Sequence, residues 1–124
     1  MLSIRHWLLA LLILAPAAFP GSVVANTDQQ QFVVVYVEFL PAKAAQGGRQ
    51  LEQLAGLARA AAGIISFNVN QEIQRPNFYS LVETWNDAAA YQAFVNSTQT
   101  QAMLNAIQPL LEAPLDERAG NLVE

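Results

Sequence analysis

The stretch "FVVVYVEF", Phe32 to Phe39, constrains the fold more than any other part of this sequence. Its β-branched and aromatic side chains suit a pleated strand. Alternation puts Val33, Val35 and Val37 on one face and Phe32, Val34 and Tyr36 on the other. A strand that is apolar on both faces is expected to be covered on both sides. Pro41 closes it.

The apolar period then changes. Between Ala44 and Ala62, residues Leu51, Leu54, Ala55, Leu57, Ala58, Ala61 and Ala62 recur at three- and four-residue steps, which predicts a helix. Gly47-Gly48 weakens its first turn, so the helix is expected to start nearer Arg49. Gly63 is placed to stop it. Ile64 to Glu72 reads as a second strand, with Ile65, Phe67 and Val69 alternating against Ser66, Asn68 and Asn70. Pro76 and Asn77 make a turn, and Phe78 to Trp85 form the third strand of an antiparallel hairpin. Asn86 or Asp87 can cap a short helix over Ala88 to Val95. A further helix follows Asn96-Ser97-Thr98, with Met103, Leu104, Ile107 and Leu110 or Leu111 as its apolar stripe. A fourth strand is expected within Arg118 to Glu124.

The resulting order is β-α-β-β-α(α)-β. A helical crossover makes the first two strands parallel neighbours or near neighbours. This is the split βαβ, ferredoxin-like arrangement of the α+β class: a four-stranded antiparallel sheet with helices on one face. The other face is bare in a lone subunit, so the doubly apolar first strand predicts a homodimer joined sheet to sheet, a dimeric α/β barrel.

The first 25 residues read differently. Arg5 and His6 give a basic start, Trp7 to Ala15 an apolar run, and "PGSVVA" a small-residue exit. These are the parts of a secretory signal peptide, with cleavage expected after Ala25, or alternatively near Ala17. The competing reading is a membrane anchor, but a spanning helix needs about 20 apolar residues, and Pro16 and Pro20 interrupt this one. The expected product is exported, periplasmic or secreted, with no stable membrane anchor after cleavage. Residues 26–31 form a flexible lead-in and residues 32–124 the domain.

Without Arg5, five basic residues face ten acidic ones. That balance argues against nucleic acid as a partner, which clustered Lys and Arg would bind. The chain has no cysteine, and its one histidine is His6 in the leader. The usual ligands for zinc, copper or haem are missing, and so are Ser-His-Asp and Cys-His nucleophiles. No cofactor and no metal are expected.

Carboxylates, amides and aromatics remain. Glu38 and Glu83 are the strand carboxylates. On a covered strand either would be desolvated and suited to general acid–base work; at a strand end either could reach water or pair with Arg75 or Arg118. Asn68, with Asn70, could hold a polar ligand atom if its face is covered. Tyr36, Tyr79, Trp85, Tyr91 and Phe94 form an aromatic set. Alternation places Tyr79, Leu81, Glu83 and Trp85 on one face, where Trp85 and Tyr91 could meet between sheet and helices. Such a junction is either plain core or the wall of a small-molecule pocket.

The segments "FVVVYVEFLPAKA", "AAAGIISFNVNQE", "PNFYSLVETWNDAAAYQAF" and "STQTQAMLNAIQPLL" resemble the antibiotic biosynthesis monooxygenase family of dimeric ferredoxin-like α/β barrels. The most specific part is "VETW" followed by an acidic helix start and an alanine-rich turn. The resemblance implies cofactor-independent oxidation of a quinol- or anthrone-like aromatic by molecular oxygen. It assigns Trp85 to ring stacking and Tyr91 to hydrogen bonding, as the catalytic pair. Asn68, Glu83, Tyr36 and Phe94 are the accompanying substrate-binding candidates. Many members carry a histidine in the helix after the tryptophan and another shortly beyond; Phe94 and Gln99 stand at those positions here. A histidine proton acceptor is therefore missing, and the haem-degrading activity of a related branch is not expected. The alternative is a non-catalytic module that binds a small hydrophobic molecule in the same pocket.

Overall fold

The computed structural model describes residues 29–123. The expected signal peptide and its cleavage site lie outside the described residues, as does the start of the lead-in. Strand β1 spans Gln31–Glu38, so the lead-in ends one residue earlier than expected. A 3-10 turn at Pro41–Lys43 leads into helix α1, Ala44–Arg59. Strands β2, Ile64–Gln71, and β3, Phe78–Trp85, follow. Helices α2, Ala88–Asn96, and α3, Thr98–Ile107, come next, then strand β4, Asp116–Asn121. The sheet order is β2-β3-β1-β4, with every neighbouring pair antiparallel. β1 and β2 are thus parallel near neighbours with β3 between them, as the crossover requires. This is the four-stranded ferredoxin-like sheet, with its helices on one face. Among the described residues no helix is long and apolar enough to cross a membrane.

The alternation of β1 sets the layers. Val33, Val35 and Val37 are buried with Leu51, Leu54, Ala55 and Ala58 of α1 in the main core. Phe32 and Tyr36, on the opposite face, are 41% and 49% exposed. Among the described residues of the single chain, nothing covers that second face.

The two interhelical starts are capped as their sequence suggests. The Asp87 side chain accepts from the Ala90 N–H at 2.8 Å, and the Ser97 hydroxyl accepts from the Thr100 N–H at 3.1 Å. Each satisfies a helix-end donor that would otherwise lack a partner.

Three expectations are corrected. α1 begins at Ala44 and runs through Gly47-Gly48 without fraying. The reason is tertiary: a Cβ on Gly47 would stand 2.5 Å from three carbons of the buried Phe39 ring, and one on Gly48 would stand 2.5 Å from the Tyr79 hydroxyl. The glycines let the helix lie on these two rings, which themselves pack edge to face at 5.5 Å. Gly47→Ala should therefore lower stability. The gain in helix propensity, about 1 kcal/mol, is outweighed by overpacking of about 1–3 kcal/mol. A thermal melt checks this, and a raised midpoint would refute the packing argument.

Second, Ile65 does not share a face with Phe67. The β2–β3 register shifts between Ile64 and Ser66, so Ile64 sits opposite Trp85 while Ile65 is left outward and exposed. A bulge inserts one residue into one strand and breaks strict alternation. Third, the last strand begins at Asp116, two residues before the expected start. Its pairing with β1, from Tyr36↔Asp116 to Gln31↔Asn121, fixes those bounds.

Candidate functional site

Strand β3 carries Leu81, Glu83 and Trp85 inward at two-residue steps, and all three are buried. Trp85 is fully enclosed where β3 hands over to α2. Its ring lies 5.0 Å from Phe94 and 5.9 Å from Tyr91, both on α2. Its indole Nε1–H donates to Glu83 Oε1 at 2.9 Å. Residues two apart on a strand share a face, which is what brings this acid and this indole together.

Between the sheet and the helices lies an apolar cavity of about 40 Å³. Val35 and Val37 of β1, Leu51 and Leu54 of α1, Phe67 of β2, Tyr91 and Phe94 of α2, and Leu104 and Ile107 of α3 line it. Its polar lining is sparse: Glu83, Thr100, Tyr91 and Glu117. The Thr100 hydroxyl is already engaged, accepting from Ser97 Oγ at 2.8 Å.

Glu83 is 4% exposed. Burial pushes its pKa up from 4.5 to about 7; the Trp85 hydrogen bond pulls it down, and the charge of Glu117 pushes it further up. Glu117 is also raised to about 7, by burial. Desolvation disfavours the charged form of each carboxyl. A carboxyl that titrates near neutrality inside an apolar cavity can accept a proton from a bound hydroxyl.

The structure sorts the expected site residues into two groups. Glu83, Tyr91, Phe94 and Trp85 come together. Trp85, however, does not line the cavity. In the single chain it packs against Phe94 and Tyr91, completes the core and aims the Glu83 carboxyl. Asn68 and Tyr36 do not join the site. Asn68 pairs across from Val82 on the outward face and is exposed, so its amide is free to meet water. Tyr36 is on the same outward face, with the Arg118 guanidinium 5.4 Å from its ring. Glu38 also lies away from the cavity, beside Tyr36 in an outer-face groove. It pairs with neither arginine: Arg75 bridges to Glu72 and Arg118 to Asp116. Among the described residues no group of three or more His, Cys, Asp or Glu side chains could hold a metal ion.

Residues 31–106 match the model of the antibiotic biosynthesis monooxygenase family. The chain belongs to that family. No curated protein is similar enough in sequence to count as a relative. Several solved structures share the antibiotic biosynthesis monooxygenase fold seen here. A Caulobacter crescentus protein, provisionally named as an antibiotic biosynthesis monooxygenase, is 18% identical, with a TM-score of 0.73 over 79% of this chain and 93% of that one. Protein SO0527 from Shewanella oneidensis is 21% identical, with a TM-score of 0.71 over 77% and 92%. A Bacteroides thetaiotaomicron protein of unknown function, suggested to be an oxidoreductase, is 16% identical, with a TM-score of 0.71 over 77% and 99%. At these identities the likeness speaks to the fold.

Within the family frame, Phe94 and Gln99 occupy different surroundings. Phe94 is buried against Trp85 and Phe67, whereas Gln99 is exposed in the first turn of α3. Glu117 escaped the sequence reading because "LDERAG" looks like a solvated charge run. Its signal is positional: once β4 pairs with β1, Glu117 sits opposite Val35 and must face inward with it.

Proposed function

We propose that this protein is an exported, cofactor-independent oxidoreductase of the monooxygenase type, which oxidises a quinol- or anthrone-like aromatic with molecular oxygen. The observation that carries the reading is the Glu83 carboxyl, buried on an apolar cavity and aimed by the Trp85 N–H. Ionising an electron-rich phenol raises its reducing power toward oxygen. Glu83 takes the phenolic proton, Tyr91 donates to the ring oxygen, and Phe94 packs on the ring. Trp85 is a positioning residue in this scheme. Phe32, Val34 and Tyr36, apolar on an uncovered face, support the sheet-to-sheet homodimer.

Small-molecule sites usually enclose about 300–1,000 Å³, so a bicyclic ring enters only as α2 and α3 part from the sheet. That small volume, with Phe94 filling the place where many members have a histidine, favours the second reading: a non-catalytic binder of a small hydrophobic molecule.

Oxygen uptake with a panel of dihydroxynaphthalenes and anthrones separates the two. Uptake above boiled-protein controls, lowered by about 10²–10⁴-fold in Glu83→Gln, is the expected result, since that is the usual contribution of a general base. Ligand binding without uptake in the wild type would support the binder instead.

A further inference from the structure

Glu83 has an acceptor's role but no obvious way to give up the proton it gains. Its side-chain partner is the Trp85 Nε1–H, and an indole N–H donates only. Thr100 is held by Ser97. The Tyr91 hydroxyl is committed, in the proposed scheme, to donating to the ring oxygen. The remaining ionisable group on the cavity is Glu117. β1 lies between the two acids: Glu83 pairs beside Val33 from one flank, and Glu117 pairs beside Val35 from the other. Glu117 is on the edge strand and only partly buried, while Glu83 is enclosed.

From this arrangement we infer that Glu117 is the proton exit of the site: it receives, through water in the cavity, the proton that Glu83 removes from the ligand, and releases it to solvent at the sheet edge. The inference rests on the reading of Glu83 as proton acceptor. The steps balance. The phenol O–H breaks as a Glu83 O–H forms; that bond breaks as a Glu117 O–H forms; Glu117 then loses the proton to bulk water. No electron moves in these steps, and oxygen is the oxidant of the anion that remains. A water needs roughly 10–15 Å³ of such space and two or more polar partners. Once the ring has left, the cavity of about 40 Å³ supplies the room, and the two carboxyls with the Tyr91 hydroxyl supply the partners.

Among the described residues, no cation lines the cavity beside the pair. β1, β2 and α1 present apolar side chains to the cavity, α2 presents Tyr91 and α3 presents Thr100. Arg118, next to Glu117 in sequence, turns to the other face, where it meets Asp116 and the Tyr36 ring. Burial raises both carboxyls above the ordinary carboxylate range, to about 7.

The chain has two tryptophans. The test uses the full chain carrying Trp7→Phe, so that Trp85 reports on the carboxyl it is bonded to. Trp85 emission is followed against pH in this background and with Glu83→Gln, Glu117→Gln or Glu117→Asp added. The expected transition centres near pH 7, disappears in Glu83→Gln, moves to lower pH in Glu117→Gln and returns in Glu117→Asp. In oxygen uptake, Glu117→Gln should lower kcat and leave KM unchanged, because the exit does not hold the ligand. An unmoved transition in Glu117→Gln overturns the coupling, and an unchanged kcat overturns the exit. A moved transition in a protein that consumes no oxygen overturns the oxidase reading and the exit with it, while leaving the coupled pair in place.

Discussion

Trp85→Ala should remove about 3–5 kcal/mol of stability, the range for truncating a large buried aromatic. The ring is fully enclosed and touches Tyr91 and Phe94, so its removal opens a cavity at the joint between sheet and helices. It also strips a buried carboxyl of its hydrogen-bond donor, and an unsatisfied buried group adds its own penalty. Small domains are stable by only roughly 5–15 kcal/mol, so this variant should be largely unfolded at modest urea concentrations. Trp85→Phe keeps most of the apolar volume but loses the N–H and part of the fused ring. It should fold, with the Glu83 pKa raised further, because the lost bond is the influence that lowers it. Urea unfolding of both variants checks this, and a loss below about 1 kcal/mol for Trp85→Ala would contradict its place in the core, far under the usual range.

The second large effect is a dependence of stability on pH. Glu83 and Glu117 have folded pKa values near 7 against 4.5 for the free side chain. A raised carboxyl holds its proton longer in the folded state. Its stabilising share is complete below about pH 4.5 and is lost as pH rises through about 7. For Glu83 the loss is on the order of 3 kcal/mol; Glu117 reaches water and contributes less. Asp116 shifts the opposite way, but it is fully exposed and paired with Arg118. Thermal midpoints should therefore fall between pH 5 and pH 8. Glu83→Gln should flatten that fall and exceed the wild type at pH 8, since a neutral amide can still accept from Trp85. At about 4–8 °C per kcal/mol for a domain of this size, calorimetry resolves the difference easily. A wild-type midpoint that rises from pH 5 to pH 8 would contradict the buried-carboxyl account.

Much of the fold was legible because local and long-range signals agree. The alternation of β1, the helical spacing of Leu51, Leu54 and Ala58, and the caps at Asp87 and Ser97 are properties of neighbouring residues. Several of the failures depend on partners distant in sequence. Gly47-Gly48 reads as a weak helix start until Phe39 is seen beneath it. Ile65 reads as inward until the bulge turns it out. Asn68 and Tyr36 are typical site residues by type, yet one residue of strand alternation puts them on the face away from the cavity. Glu117 has the reverse history: its sequence surroundings look solvated, and only the pairing with Val35 turns it inward.

The site follows the same logic. A tryptophan at a strand end could be core or pocket wall from sequence alone. The structure places it in the core, and gives it a task there: its N–H bonds Glu83, the one buried carboxyl among the described residues. What sequence could show was that Glu83 and Trp85 share a face. That they touch depends on how α2 packs Phe94 and Tyr91 against the indole.

The most direct test of the central claim is the pH profile of oxygen uptake with an active dihydroxynaphthalene, corrected for autoxidation with boiled protein. The account predicts activity that rises through about pH 7 as Glu83 ionises, and that falls about 10²–10⁴-fold in a folded Glu83→Gln variant. Equal uptake by that variant, or a flat profile between pH 5 and pH 8, would contradict it.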